Sequence, residues 1–347
     1  MSDKAEPKHL RDRLLTLTDL GKLPPTKPLI DGLIYRNTLA QLSGGPGTYK
    51  TFLALTMGCC VATGEPLGGF AVPESGTVIY VAAEGAGDME KRILAWSESW
   101  DVDPDLLHER LFVLPLPIQL GAEKEVSEAI EVVQEKQADL LVLDTRARCS
   151  LGMDENNATE QGRAIHAADQ IRTSAQCAVL GVHHTPRTGS AGRGSNAWDG
   201  AVWSDLRVNG GSLHVKLHCE KHKDVESGCD HHFSFRPHTV AKHLMPRAFF
   251  PHERQTLVMS RTQSGLSSLK MTARQLVQTL IWTSGPPEGF AATELFHMVT
   301  PQVVSRSSMY EALRWGVDQK YLRITGTERR SRWTTGEVRP PWLPDND

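Results

Sequence analysis

Residues 42–51, LSGGPGTYKT, constrain the fold more than any other part of this sequence. An apolar run that alternates like a β-strand, residues 38–42, comes before them, and an apolar segment with helical spacing, residues 52–57, follows. A strand, a glycine-rich turn and a Lys-Thr pair that opens a helix are typical of a phosphate-binding loop. The sequence therefore predicts an α/β protein that binds a nucleotide.

The residue types in this loop suit phosphate binding. Glycines let the backbone curl until its N–H groups face phosphate oxygens, with the N-terminus of the helix behind them. Lys50 can reach the β- and γ-phosphates, and Thr51 can offer its hydroxyl to Mg²⁺. One position departs from the usual G-x-x-x-x-G-K-[ST] pattern, because Tyr49 stands where the last glycine is normally found. The expected ligands are ATP and Mg²⁺, and the predicted loop contacts are Gly44, Gly45, Pro46, Gly47, Thr48, Tyr49, Lys50 and Thr51.

The length of 347 residues is enough for one large domain and a smaller one. No apolar run reaches membrane-spanning length, and the first residues contain no signal-peptide core, so we expect a cytoplasmic protein without a membrane partner.

The six cysteines lack the spacing of a disulfide framework, and the histidines and cysteines of residues 214–232 lack that of a zinc site. A net charge of −3 means that nucleic-acid binding would depend on local basic patches.

Apolar strands alternate with helical segments between residues 76 and 184, which predicts a largely parallel sheet. Three of these strands end in polar residues, namely Glu84, Asp144 and the pair His183 and His184. The carboxyl ends of parallel strands meet at one edge of a sheet, so we expect these side chains to face the same ligand. Residues 202–208 and 213–220 then resemble a hairpin at the edge of the sheet.

The chemistry of each strand end follows from its residue type. Asp144 is the expected carboxylate for Mg²⁺, directly or through water. Glu84 can orient or deprotonate the attacking water, although a glutamate before a glycine-rich loop can also be a plain surface residue. His183 can sense the γ-phosphate, although a histidine on an apolar strand is more often a hydrogen-bonded core residue.

We predict four segments along the chain. A proline-containing strap covers residues 1–35, the nucleotide-binding core covers residues 36–240, and a linker covers residues 241–268. Three helical patterns and a two-stranded ribbon within residues 269–347 are typical of a winged helix-turn-helix domain.

The order of these motifs resembles the RecA-like core of hexameric replicative helicases of plasmid RepA type, a core also found in phage and mobile-element ATPases. The loop, the VIYVAAEG, LLVLDT and GVHH strands and the following Arg193-Gly194-Ser195 carry this resemblance, over roughly residues 20–235. It implies a RecA-like P-loop NTPase core with a mostly parallel sheet. It also implies a hexameric ring, nucleotide at each subunit interface, and single-stranded DNA in the channel. The expected activity is that of an ATP-dependent DNA helicase or translocase in replication.

The resemblance also assigns the basic residues. Arg207 matches the arginine that would act in trans on the neighbour's nucleotide, and Lys221 and Lys223 match a basic pair that other ring helicases use. Loops after Asp144 and His184 would face the channel with Arg146, Arg148, Arg187 and Arg193. Beyond the residues that carry this resemblance, the winged-helix pattern itself places Arg306 and Arg314 on the presumed recognition helix and Arg330 near the wing. These arginines would contact duplex DNA, or the domain would dock a replication protein instead.

Two other functions fit the same residues. A RecA-like recombination ATPase would form filaments on single-stranded DNA. An origin-binding or helicase-loading ATPase would use its winged helix as the DNA-binding module and its nucleotide as a switch.

Overall fold

The computed structural model describes residues 14–23, 25–185, 197–211, 213–223, 227–261, 277–278, 280–282, 288–299, 306–326 and 331–340, with backbone alone at 297–299 and 306–308. The chain divides into two compact units. The first consists of Met1–Gly228 and Phe233–Thr262, and the second of Cys229–His232 and Gln263–Asp347.

The first unit alternates strands and helices along the chain. Its helices are α1 (Leu17–Leu20), α2 (Lys50–Thr63), α3 (Met89–Trp100), α4 (Asp105–His108), α5 (Glu123–Glu135), α6 (Ala158–Ala175) and α7 (Ala197–Ala201). Its strands are β1 (Pro28–Ile30), β2 (Ile34–Tyr35), β3 (Leu39–Gly44), β4 (Thr77–Ala82), β5 (Leu111–Leu114), β6 (Ala138–Asp144), β7 (Ala178–His184), β8 (Ser204–Gly211), β9 (His214–His222), β10 (Asp230–Thr239) and β11 (Gln255–Met259), of which β10 has its first three residues in the second unit.

Nine strands form one sheet in the order β11-β10-β9-β8-β3-β7-β6-β4-β5. The strands from β8 to β5 in this order are parallel to their neighbours, whereas β9 is antiparallel to β8 and β11 is antiparallel to β10. The predicted α/β fold with a mostly parallel sheet is confirmed.

Helices cover both faces of this sheet, which explains the continuous apolar runs of its strands. In β6, Leu140 and Val142 pack in the core that includes residues of α2 and α3. Leu141 and Leu143 point the other way and pack in the core that includes residues of α5 and α6. A strand buried on both faces has no polar side to show, so its sequence does not alternate.

Two features of the sheet differ from the prediction. The pair β8 and β9 was expected at the sheet edge, but β8 lies beside the central strand β3, because β10 and β11 extend the sheet on the far side of β9. Residues 241–268 were predicted to be a linker, yet β11 within them pairs with β10, and the Met259 carbonyl accepts the Trp100 indole N–H at 2.8 Å. Pro237 lies inside β10 and made that strand hard to recognise, since proline is tolerated in strands only at edges, ends or bulges.

The predicted N-terminal strap is partly a component of the core. Strands β1 and β2 pair antiparallel, and Leu29, Ile30, Leu33 and Ile34 are fully buried with the residues of the main core. The proline-rich residues before them lead into this hairpin.

The second unit has a core of its own. The described part contains α8 (Ala292–Val299), α9 (Arg306–Asp318) and a three-stranded antiparallel sheet in the order β12 (Phe290–Ala291), β14 (Arg332–Thr335), β13 (Leu322–Thr325). Met309, Leu313 and Trp333 are among its buried residues. Two of the three predicted helices are present as α8 and α9, and the predicted ribbon is present as β13 and β14. The remaining helical pattern, over residues 272–283, lies mostly outside the described residues. Within the described residues, no helix is long and apolar enough to cross a membrane.

Candidate nucleotide site

The phosphate-binding loop connects β3 to α2, and two of its glycines are required by geometry. Gly44 is the parallel partner of Val208, and a Cβ on Gly44 would lie 2.3 Å from the Val208 carbonyl oxygen. Gly47 has a φ of +76°, which side-chain-bearing residues rarely adopt. The loop therefore depends on glycine both for its approach to β8 and for its turn.

Tyr49 occupies the position of the usual last glycine and has the backbone conformation that glycine favours there, with a φ of 63°. This left-handed conformation costs an L-residue about 1–2 kcal/mol. Its ring stacks on Phe235 with centroids 5.2 Å apart, and its hydroxyl accepts the Leu213 backbone N–H at 3.3 Å. These contacts offset the strain and explain how the loop tolerates a tyrosine.

Lys50 is buried at the start of α2, and its ammonium is held by the loop itself. Nζ donates to the Gly45 carbonyl at 2.6 Å and lies 3.4 Å from the Thr48 hydroxyl, which also donates to Gly45 at 2.8 Å. Burial lowers the pKa of Lys50 to about 8, and the negative charge of Asp144 opposes this shift. A phosphate oxygen would offer this desolvated ammonium a charged partner in place of a carbonyl.

Asp144 ends β6 as predicted and is buried beside the loop. Its Oδ2 accepts the Tyr80 hydroxyl at 2.6 Å, and within the described residues its buried Oδ1 has no hydrogen-bond partner. Burial raises the pKa of this carboxyl, and hydrogen bonds from Tyr80 and Thr51 oppose the rise. An unpartnered carboxylate oxygen next to a threonine hydroxyl is a donor set that fits Mg²⁺.

Tyr80 is a site residue that sequence reasoning missed. It lies on β4 opposite Val142 of β6, and its hydroxyl also approaches the Thr51 carbonyl, at 3.5 Å. Burial and the neighbouring Asp144 raise the pKa of its phenol well above the ordinary value, so it stays a hydrogen-bond donor. The available signal was a hydroxyl inside the otherwise apolar strand VIYVA.

Glu84 lies two residues beyond the end of β4, exposed on the loop that follows. Its Oε1 accepts a hydrogen bond from Arg148 Nε at 2.8 Å. Arg148 was predicted for DNA contact and Glu84 for catalysis, so the structure brings together two residues that had been given separate roles.

His183 and His184 end β7 beside the loop, opposite Ser43 and Gly44. Burial, followed by the positive charges of Arg146, His184 and Lys50, lowers the pKa of His183 to about 3. Its Nδ1 is buried and has no hydrogen-bond partner in the part of the chain that is described. His183 is therefore neutral at working pH and retains an unused ring nitrogen.

Arg146 is buried, which contradicts the expectation that it faces a channel. Its guanidinium lies 4.4 Å from the centre of the Trp198 ring and donates to Gln41 Oε1 at 3.1 Å. The Gln41 amide nitrogen in turn donates to Asp199 at 2.7 Å and to Asp205 at 2.9 Å. Burial lowers the pKa of Arg146 to about 10. This arginine joins parts of the core that are far apart in sequence. The only sign of its polar network in the sequence is Gln41, a polar residue within an apolar strand.

Arg207 lies on β8 opposite Ser43, with its guanidinium partly exposed. It contacts the carboxylates of Asp205 at 3.2 Å, Glu220 at 3.6 Å and Asp199 at 3.9 Å. Its strand is central rather than an edge strand, but its side chain still reaches the surface.

Of the two candidate lysines, Lys221 lies near Arg207, because both contact Asp199, Lys221 at its carbonyl and Arg207 at its carboxylate. Lys221 donates to the carbonyls of Asp199 and Gly200 at 2.7 and 3.1 Å, at the end of α7. Lys223 is exposed, and its backbone N–H donates to the Trp203 carbonyl at the amino end of β8.

The remaining predicted DNA contacts are only partly described. Arg314 is exposed on α9. Arg187, Arg193 and Arg330 lie outside the described residues, as does the side chain of Arg306.

Comparisons with known proteins bear on the same region. A family model described as an AAA domain, AAA_25, matches residues 4–190, which include the loop, Glu84, Asp144 and His183 and end before Arg207. No curated protein matches the sequence. Among solved structures, the crystal structure of the RadB recombinase is similar over 57% of this chain and 87% of that chain, with 18% identity and a TM-score of 0.42.

Proposed function

This chain belongs to the AAA domain family, and from that premise we propose that it is an ATP-dependent DNA helicase or translocase. It would act in the replication of a phage, plasmid or mobile element and would hydrolyse ATP at the interfaces of a ring of subunits. The observation that carries the ATPase part is the juxtaposition of buried Lys50, half-buried Thr51 and the buried Oδ1 of Asp144, which has no hydrogen-bond partner among the described residues.

The chain's own residues divide the work at this site. Lys50 and the loop N–H groups would hold the triphosphate, and Thr51 and Asp144 would hold Mg²⁺, which would supply charge neutralisation when bound. Glu84 accepts the proton of the attacking water once it is free of Arg148. His183, kept neutral by burial, can donate or accept one hydrogen bond without adding charge.

Two exposed arginines support the proposed ring assembly and the proposed DNA binding. Arg207 ends in a half-exposed guanidinium among carboxylates, where it can exchange those partners for a neighbour's phosphate. Arg148 is exposed next to the proposed base and is a candidate for contact with a DNA phosphate.

The second unit supports a DNA-binding or docking role. We infer a winged helix-turn-helix from α8, α9 and the β13–β14 ribbon, with α9 as the recognition helix. Its Arg314, or the arginines predicted near it, would contact duplex DNA, and the alternative partner is a replication protein.

The first experiment measures ATP turnover and strand displacement on a forked duplex by the full chain. We expect turnover to rise with single-stranded DNA, displacement to require ATP, and both to vanish in Lys50→Ala. Turnover with filaments in negative stain but without displacement would favour the recombination ATPase. Sequence-specific duplex binding that persists in Lys50→Ala, without displacement by the wild type, would favour the origin-binding or loader protein.

The second experiment tests action across the interface. Arg207→Ala and Lys50→Ala chains, each inactive alone, are mixed so that some interfaces contain an intact loop and an intact arginine. Loss of a cation acting in trans lowers the turnover rate about 10³-fold or more. We therefore expect the interfaces that contain both intact parts to recover part of the turnover. If co-assembled chains recover nothing, Arg207 does not act in trans, and Lys221 or Lys223 is tested next.

A further inference from the structure

A second cavity lies at the amino ends of the central strands. Its volume is about 660 Å³, and its lining includes Leu39 at the start of β3, Trp203 before β8 and Arg172 in the last turn of α6. The phosphate-binding loop begins at Gly44, at the other end of β3 and roughly 16 Å away at the usual rise of a strand. The cavity is therefore a separate site, and its size is that of a small-molecule pocket.

The lining of this cavity is basic. Lys27, Arg36, Arg172 and Lys223 belong to it, against a single carboxylate, that of Asp169. Asp169 pairs with Arg172, with Oδ1 and Nε 2.7 Å apart, and Arg36 pairs with carboxylates outside the lining. The two lysines are exposed, and in the part of the chain that is described neither ammonium has an ion-pair or hydrogen-bond partner. Two positive charges at the cavity are therefore left uncompensated.

Arg172 is fixed in the wall of the cavity with one nitrogen unused. Its Nε donates to Asp169, and its Nη1 donates to the carbonyl and side-chain oxygens of Asn37 at 2.8 and 2.9 Å. Asn37 is itself held by donation from Nδ2 to Gln176 at 3.1 Å. Within the described residues Nη2 makes no hydrogen bond, and the side chain is 20% exposed. A guanidinium that is already oriented loses little entropy when it binds an anion.

Another part of the lining is apolar and aromatic. The Leu39 carbonyl accepts the Trp203 backbone N–H at 2.7 Å, which joins β3 to the residue before β8. The Trp203 carbonyl in turn accepts the Lys223 backbone N–H at 3.2 Å, so an unpaired lysine directly neighbours the tryptophan. An aromatic ring beside basic side chains is a common surface for a nucleobase and its phosphate.

We propose that this cavity binds the phosphate group of a nucleotide. Lys27, Lys223 and Nη2 of Arg172 would hold the phosphate, and Trp203 would contact the base or the sugar. Two unpaired ammonium groups match the charge of about −2 on a phosphate monoester. A free nucleoside monophosphate and the 5′-phosphate end of a DNA strand share this chemistry. The inference goes beyond the proposed function, and the phosphate-binding loop takes no part in it.

The first test measures AMP binding by calorimetry to the full-length Lys50→Ala chain, whose phosphate-binding loop has lost its cation. We expect Lys27→Gln and Lys223→Gln, each added to this chain, to weaken AMP binding at least ~10-fold. The control Lys124→Gln removes an exposed lysine that does not line the cavity and should leave the affinity unchanged. Lys27 is the sharper test, because Lys223 is also a candidate for action on a neighbour's nucleotide. Circular dichroism checks that each variant is folded.

The second test locates the ligand by the NMR signals of the indole N–H groups. The signal that disappears in Trp203→Phe identifies Trp203. We expect AMP to shift this signal in the Lys50→Ala chain, and to shift it much less at the same concentration when Lys27→Gln is added.

The third test separates the two sources of the phosphate. A single-stranded oligonucleotide with a 5′-phosphate is compared with the same strand ending in a 5′-hydroxyl, and with AMP. Tighter binding of the phosphorylated strand than of both others would support the site and assign it to strand ends. Tighter binding of AMP would support the site and assign it to free nucleotides.

Other results would overturn the inference. AMP binding that is unchanged by Lys27→Gln, or no AMP binding by the folded Lys50→Ala chain, overturns the cavity as a phosphate site. Inorganic phosphate bound as tightly as AMP overturns the role given to Trp203. None of these results bears on the ATPase proposal, which is tested separately by the loss of ATP turnover in Lys50→Ala.

Discussion

Glu84 and Arg148 form an ion pair with Oε1 and Nε 2.8 Å apart, which joins the proposed catalytic base to a residue predicted to bind DNA. Their side chains are 46% and 57% exposed, so the pair contributes at most about 1 kcal/mol. A DNA phosphate can therefore replace the glutamate as the partner of Arg148 at little cost. Release of Glu84 would then couple DNA binding to ATP turnover.

Loss of Arg148 should free this base permanently. We expect Arg148→Ala to raise turnover without DNA by up to about fivefold, the equivalent of about 1 kcal/mol, and to reduce the further stimulation by DNA. Steady-state turnover with and without single-stranded DNA is the measurement, with Arg163→Ala, another exposed arginine, as the control. Glu84→Gln breaks the same pair but should slow turnover by about 10²-fold, because the base is lost. Unchanged basal turnover in Arg148→Ala would show that the pair does not restrain Glu84.

The affinity for ATP should depend on the charge of Lys50. Burial places its pKa at about 8, so the empty site loses the ammonium charge as the pH rises through this value. We expect the dissociation constant of ATP to increase by up to about tenfold per pH unit above that point. Lys50→Met should bind weakly with no such dependence, and calorimetry from neutral to alkaline pH compares the two. A flat wild-type profile would mean that another cation holds the phosphates.

Tyr49 offers a test of backbone strain in the loop. Tyr49→Ala loses the stacking on Phe235 but keeps the left-handed backbone of a side-chain-bearing residue, whereas Tyr49→Gly loses the stacking and the strain together. The glycine variant should have a free energy of unfolding about 1 kcal/mol above that of the alanine variant. Urea denaturation of both chains measures the difference. Greater stability of the alanine variant would contradict the assigned strain.

Arg146 and Arg148 should behave differently although they are two residues apart. Arg146→Ala removes a charged hydrogen bond to Gln41 and a contact with the Trp198 ring, and should lower the free energy of unfolding by about 2 kcal/mol. Arg148→Ala should change stability little and reduce the salt dependence of DNA binding by about one phosphate contact. Denaturation measures the stability of both variants, and a salt titration measures how their DNA affinity depends on salt. A stable Arg146→Ala chain with weakened DNA binding would restore the original expectation for this residue.

Sequence predicts well the parts of this molecule that depend on residues close together in the chain. The interiors of strands β4, β6 and β7 are largely apolar because both faces of each are covered, and their polar ends fall at one edge because the strands are parallel. The loop from Gly44 to Thr51 is recognisable because glycine and lysine are required there by geometry and charge.

The parts that escaped prediction depend on contacts between distant residues. The burial of Arg146 depends on Gln41, which is 105 positions away, and on Trp198. The link from Tyr80 to Asp144 depends on the pairing of β4 with β6. The central place of β8 depends on two later strands, one of which contains a proline.

The ladder between β3 and β8 has a mechanical consequence. Ser43 faces Arg207 and Gly44 faces Val208, and the missing Cβ of Gly44 lets the two strands approach closely. The phosphate-binding loop therefore follows a strand that pairs directly with the strand of Arg207, the cation that we propose acts on a neighbour's nucleotide. A displacement of that loop on nucleotide release would be transmitted to the adjacent subunit in the same movement. In the proposed ring, this coupling would make the subunits hydrolyse ATP in succession rather than at random.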